Sequence, residues 1–238
     1  SVLSGQPADS APKGSTILQH EAPHLTLEDV TLQTPGSRRT LVQKLSIAIR
    51  PGEGLMIVGQ SGSGKSSLLR AIAGLWQSGG GTIYRPPPGD IFFLPQQPYM
   101  LIGSLRAQLL YPNNDTSIGD EQLLEVLEQV NLTELASRFG GLDLELDWEK
   151  VLSVGEQQRL AFARVLLARP RFAILDEATS ALDPANEAAL YRQLQETGTT
   201  LVSVAHRASI LKYHTQVLEL TGNCGWATHA ASRYRFSQ

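Results

Sequence analysis

The sequence predicts an α/β fold: a mainly parallel sheet with helices on its faces, an antiparallel β-sheet ahead of it, and a helical insertion within it. Three observations predict this. An apolar run, Leu55–Val58, leads through a glycine-rich loop into the helically periodic stretch Ser67–Ala73. The continuously apolar segments Phe172–Leu175 and Leu201–Val204 flank the helical pattern Pro184–Glu196, as strands buried on both faces would. Between Ser104 and Ala168 the pattern is helical, which places an insertion between the two halves of a βαβ layout.

In order along the chain, residues 1 to about 22 are rich in Ser, Ala, Pro and Gly and lack periodicity, so a flexible linker is expected there, with the domain proper over 23–238. Alternation begins at Leu25, Leu27, Val30 and Leu32 and resumes at Leu45, Ile47 and Ile49, which predicts the antiparallel sheet. The helix after the glycine-rich loop is expected to end near Gly74-Leu75-Trp76. Thr82–Tyr84 and Ile91–Leu94 are expected strands, separated by Pro86-Pro87-Pro88, which no helix tolerates. The helical subdomain is expected over about 104–168, with Leu123, Leu124, Leu127 and Val130 on one face and a second helix over Gly155–Leu167.

The chain has 238 residues, enough for one large domain or two small lobes. A net charge of −3 leaves no electrostatic footprint for nucleic acid. The single cysteine, Cys224, excludes an internal disulfide. Apolar runs end short of the ~20 residues a membrane span needs. The absence of an initial Met or signal peptide leads to the expectation of a fragment from a longer protein.

Gly59-Gln60-Ser61-Gly62-Ser63-Gly64-Lys65-Ser66 carries the chemistry of a phosphate-binding loop. Its glycines allow positive φ, so that successive N–H groups, with Ser67 next in line, converge on phosphate oxygens. The following helix adds its positive dipole end. Lys65 is expected to reach the β- and γ-phosphates, and the Ser66 hydroxyl to complete an Mg²⁺ shell. Phe172–Leu175 ends in Asp176 and Glu177, where α/β sheets place ligands. Asp176 is expected to hold Mg²⁺ through water, and Glu177 to polarise the attacking water as general base. An acidic helix cap is the alternative when those two acids are taken alone.

Gln96 follows the strand at 91–94 and could touch Mg²⁺ or the lytic water, although an isolated loop glutamine is usually just that. His206, at the end of Leu201–Val204, could donate to the γ-phosphate in the transition state. Asp183-Pro184 suits a helix start, so Asp183 can be an N-cap as well as a site residue. Leu152-Ser153-Val154-Gly155-Glu156 begins another helix, and the Ser153 hydroxyl, the Gly155 N–H and the dipole form a second anion site. With one phosphate cradle already present, the second is explained as serving the ATP of another subunit.

Assembled, these motifs resemble the nucleotide-binding domain of an ABC transporter, a P-loop NTPase (RecA-like) core, over roughly Leu25 to Trp226. The phosphate loop, the glutamine loop at Gln96, the signature at Leu152–Gln158, the acidic strand, Ser180-Ala181-Leu182-Asp183 and the histidine at 206 occur in the family's order. Gly74-Leu75-Trp76, Tyr84-Arg85-Pro86-Pro87-Pro88, Pro95–Met100, Gly103–Arg106, Asp147-Trp148 and Lys212–Thr215 resemble subfamily D, with its peroxisomal fatty-acyl and vitamin B12 transporters and bacterial SbmA/BacA-like relatives. The resemblance implies ATP hydrolysis with Mg²⁺, a head-to-tail dimer with the same or a homologous nucleotide-binding domain, and a transmembrane domain of about six helices before residue 1. It also implies a place on the cytosolic face of a membrane, the bacterial plasma membrane, without nucleic-acid partners. Two departures stand out. Val154 replaces the signature's usual Gly, and Thr34 stands where many members carry an adenine-stacking aromatic. The base must then rest on another residue, and weaker adenine discrimination is expected. The competing class is a soluble ABC ATPase acting on DNA or ribosomes, and a binding-only regulator is a third. Ser66 to Leu152 leaves no room for the long coiled coil of DNA-repair members, and intact Lys65, Asp176, Glu177 and His206 argue against a dead site.

Overall fold

In the computed structural model, residues 15–237 are described, and the expected linker's residues 1–14 lie outside them. The linker's expected end at 22 is corrected. Ile17 is buried, and β1 (Leu18–Glu21) pairs in parallel with β5 (Gly79–Arg85). An apolar anchor at Ile17 and backbone pairing order this stretch, although its strand side chains stay mostly exposed.

β2 (Leu25–Gln33) and β3 (Thr40–Ile49) complete a four-stranded sheet in the order β1-β5-β2-β3. The second sheet has six strands in the order β12-β11-β4-β10-β9-β6. Its members are β4 (Gly54–Gly59), β6 (Ile91–Leu94), β9 (Phe172–Asp176), β10 (Thr200–Val204), β11 (Gln216–Leu220) and β12 (Trp226–Ala230). All its pairings are parallel except β11–β12. Neither β11 nor β12 is expected from the periodicity.

Helix α1 (Lys65–Ile72) buries Leu68, Leu69, Ala71 and Ile72 in the core between the two sheets. The central strands serve two cores at once. On β4, Leu55 and Ile57 join α1's core, while Met56 and Val58 join the core under the helical lobe. β9 divides the same way, Phe172 and Ile174 against Ala173 and Leu175. The two-residue period of a strand thus explains why these segments are apolar throughout.

The lobe contains α2 (Leu105–Leu110), α3 (Asp120–Gln129), α4 (Leu135–Arg138), α5 (Trp148–Val151) and α6 (Val154–Ala168), and it carries an unexpected antiparallel pair of short strands, β7 (Ile102–Ser104) and β8 (Glu145–Asp147), with α2 to α4 between them. Trp148 is fully buried there, donating its indole N–H to Gly103 O at 2.7 Å with Phe139 edge-on. On α3 the expected apolar face is corrected at one position: Leu124 is 47% exposed, and Val126 lies in the core beside Leu123 and Leu127. Helix α7 (Pro184–Glu196) starts as expected, with Asp183 accepting from the Asn186 N–H at 2.8 Å and Pro184 at the first position.

Arg164 on α6 is buried with no carboxylate partner among the described residues. It donates to Gln108 O at 2.6 Å, Tyr99 O at 2.7 Å and Gln108 Oε1 at 3.2 Å. The Gln108 amide in turn pairs with both backbone groups of Leu101. The segment after β6 is thereby pinned to the lobe.

Candidate active site

β4, the loop 60–64 and α1 form the phosphate-loop unit. Gly59 has φ +151°, and a Cβ there would meet Leu220 O at 2.6 Å and Ser63 Oγ at 2.7 Å, so the loop's tight departure from the sheet requires glycine. Gly62 and Gly64 adopt φ of +81° and +100°. Lys65 Nζ lies back along the loop, donating to Gly59 O and to Gln60 O at 2.9 Å. Burial lowers the affinity of its amine for a proton, against the opposing charges of Glu177 and Asp176. Ser63 Oγ is buried beneath the loop against Gly59 and has no hydrogen-bond partner among the described residues.

Opposite the loop stands the end of β9. Ser66 Oγ donates to Asp176 Oδ1 at 3.4 Å although 110 residues separate them. Burial raises the Asp176 carboxyl above the usual carboxylate range, opposed by the Ser66 hydrogen bond and reinforced by Glu177. Two hard oxygen donors side by side are what Mg²⁺ prefers. Among the described residues no group of three His, Cys, Asp or Glu side chains could hold a metal alone, so a cation here would need other oxygens, such as those of a phosphate. Glu177 turns out of the strand with φ +51°, its N–H donating to Val204 O at 3.0 Å, and Glu177 Oε1 lies 2.5 Å from His206 Nε2.

The resulting cleft, about 440 Å³, is lined by Ser61, Gly62 and residues 64–67 of the loop and helix start, by Glu177 and His206, and by Thr34, Arg39 and Leu41. Residues from four stretches of chain meet there. Gln96 does not line it. It donates to Ser180 Oγ at 3.3 Å, in a knot centred on the fully buried Gln158. Gln158 donates to Gln96 O at 2.9 Å and Ser180 Oγ at 3.1 Å, and accepts from the Ala181 N–H at 2.9 Å. The glutamine loop, the loop after the acids and α6 are thus joined through one amide. In the sequence Gln158 shows only as the last residue of the signature, and its place between the two loops is not apparent there.

The signature residues stand apart from the cleft. Ser153 and Glu156 make a reciprocal capping box, Ser153 Oγ accepting the Glu156 N–H and Glu156 Oε1 the Ser153 N–H, both at 3.1 Å. Arg138 holds the second Glu156 oxygen at 3.0 Å. A Cβ on Gly155 would press on Ala181 O at 3.3 Å, so α6 abuts the loop that leads to Asp183. Ser153 is exposed and Val154 is 46% exposed, so this helix start faces outward.

A glycine loop gripping a lysine, paired acids at a neighbouring strand end and a second, outward helix cap define an ATP-binding cassette ATPase domain. The chain belongs to the ABC transporter family, whose sequence model matches residues 42–180. Relatives include an uncharacterized ABC transporter ATP-binding protein of Synechocystis (57% identical, covering 85% of this chain and 31% of the relative). Others are the chloroplastic ABC transporter D family member 2 of Arabidopsis thaliana (44%; 87% and 36%) and the human lysosomal cobalamin transporter ABCD4 (43%; 84% and 35%). The chain spans about a third of the length of these curated relatives. Its fold matches a bacterial Atm1-family ABC exporter with ATP bound at a TM-score of 0.74, with 23% identity over 90% of this chain and 39% of that one. The expected subfamily D likeness and P-loop α/β class are both borne out.

Proposed function

We propose that this domain hydrolyses ATP at the cleft between the glycine loop and the end of β9, as the motor of a membrane transporter working as a two-fold nucleotide sandwich. The observation that carries this reading is the convergence of Lys65, Ser66, Glu177 and His206 on one cleft, with Asp176 hydrogen-bonded to Ser66 behind it. Loop N–H groups and Lys65 bind the β- and γ-phosphates, Lys65 exchanging its carbonyl partners for phosphate oxygens. Ser66 and Asp176 would hold Mg²⁺, with Gln96 joining when its loop moves. The ion would neutralise charge on the phosphates. Glu177 orients water for in-line attack, and His206 donates to the transferring phosphoryl group.

Ser153, Gly155 and Glu156 of one copy cover the nucleotide held by the other, and Asp183 lies beside that junction. Losing the γ-phosphate removes the charge bridging the copies, so the sandwich loosens. The Arg164–Gln108 brace and the Gln158 knot carry that motion from the cleft to the lobe and toward a membrane domain of the same polypeptide. No helix among the described residues is long and apolar enough to cross a membrane, so that domain would lie elsewhere in the protein. The setting is the cytosolic face of a membrane, bacterial plasma membrane by the likeness to bacterial relatives.

The test is the light-scattering mass of Glu177→Gln with and without Mg-ATP. An ATP-dependent doubling that Ser153→Arg abolishes supports shared composite sites. A monomer under saturating, verified ATP binding overturns the sandwich for this domain.

A further inference from the structure

The cleft has a wall that the catalytic roles do not use. Thr34, at the end of β2's hairpin, lines it but cannot cover a purine face. Its hydroxyl is engaged, 2.7 Å from Ser37 Oγ and accepting the Arg39 N–H at 3.0 Å. The Arg38 N–H donates to Thr34 O at 3.0 Å, and Gly36 and Arg38 take positive φ, so the turn is closed on itself. That closure holds the backbone of Arg39 at the mouth of the cleft. Its guanidinium is exposed and makes no hydrogen bond or ion pair among the described residues, so all its donors and both faces are free. Leu41, half-buried near the start of β3 and packed beside Gly64, contributes an apolar surface to the same wall. Among the described residues, the His206 imidazole, which Glu177 engages, is the one ring that lines the cleft.

We propose that Arg39 is the platform for the nucleotide base, its planar guanidinium stacking on the purine with Leu41 covering the adjoining ring surface. This rests on the reading that ATP is the ligand of the phosphate loop. A delocalised, weakly hydrated cation stacks on aromatic faces as a tyrosine would, and needs no particular base-edge pattern. The hairpin therefore restores what Thr34 lacks. Preference for ATP over a base-free triphosphate is retained, in contrast to the weak discrimination that Thr34 alone suggests, while ATP and GTP bind alike.

Equilibrium binding of Mg-ATP, Mg-GTP and Mg-tripolyphosphate to the wild-type domain, Arg39→Gln and Arg39→Tyr tests this. Stacking on one base predicts that Arg39→Gln weakens ATP about tenfold and tripolyphosphate less than about threefold. Arg39→Tyr, which keeps a flat face and removes the charge, should bind ATP within about twofold of wild type. Equal losses for ATP and tripolyphosphate in Arg39→Gln would mean that the guanidinium acts on phosphate charge, and would overturn the proposal. So would unchanged ATP affinity in Arg39→Gln, failure of the tyrosine to restore it, or a large ATP preference over GTP. A wild-type domain that binds none of the three overturns the ATP reading itself, which separates the two failures.

Discussion

His206 Nε2 lies 2.5 Å from Glu177 Oε1 across 29 residues of sequence, because β9 and β10 are parallel neighbours in register at Asp176 and Val204 and both chains leave the sheet at the same edge. Each side chain orients the other. If His206 has the proposed role on charge that develops in the transition state, His206→Ala lowers kcat for ATP hydrolysis about 10²–10³-fold while KM moves less than about threefold. Steady-state phosphate release decides it. A raised KM with unchanged kcat would make His206 a ground-state contact only.

Gln158 has no apolar substitute. Gln158→Leu preserves the volume but removes the bonds of the Gln158 amide to Gln96 O, Ser180 Oγ and the Ala181 N–H. The groups released lie in exposed loops that water reaches, and Ser180 Oγ keeps its bond from Gln96 Nε2, so each lost bond costs about 0.5–1.5 kcal/mol and a loss of about 2 kcal/mol in urea unfolding is expected. Because the knot joins the glutamine loop to the loop after Glu177, kcat should fall more than ATP affinity.

Arg164 should tolerate lysine poorly. Burial pulls the guanidinium down to about 10, which still leaves it charged at neutral pH, and its fork meets carbonyls on two segments that a single ammonium cannot reach together. Arg164→Lys is expected to destabilise by about 2 kcal/mol and Arg164→Met by about 3–4 kcal/mol. Hydrogen exchange at the Leu101 and Gln108 amides should rise in both. Unchanged protection would show that the brace does not hold this segment.

His214 gives a pH dependence with a definite sign. Its Nδ1 lies 2.8 Å from Ile210 O and its Nε2 2.8 Å from Ser203 Oγ, and burial lowers its pKa from 6.5 to about 4. The unfolded chain therefore binds a proton that the folded chain does not between those values. The contribution is complete above pH ~6.5 and declines as pH falls toward ~4, by about 1.4 kcal/mol per unit and about 3 kcal/mol in all. Urea midpoints at pH 7.5 and 5.0 should show this drop in the wild type. His214→Asn, less stable at pH 7.5, should lack that part of the slope.

Much of the site was legible because its signals are local. The glycines of 59–64 answer to backbone φ, Ser153 and Asp183 are caps that a four-residue window reveals, and apolar runs ending in acids mark strand ends. The misses share a physical cause. β11 is five residues long and pairs in parallel with β4, more than 150 residues earlier, so no local pattern announces it. β12 is a largely exposed edge strand and β1 is held by backbone pairing, so neither shows apolar alternation. Leu124 was misplaced because three apolar neighbours on a helix offer more than one face, and packing of α3 against α6 selects among them.

The amino-acid sequence by itself determined which chemical groups are present and how each short segment bends: the glycine loop, the cap of α6, the acids at the end of β9. Those depend on interactions within a turn or two. Only the tertiary structure decided that Ser66 meets Asp176, that Gln158 joins the glutamine loop to the loop after the acids, and that Arg39 reaches the cleft wall. Those placements follow from strand order and register, which are set by long-range burial against two cores and which no local periodicity encodes.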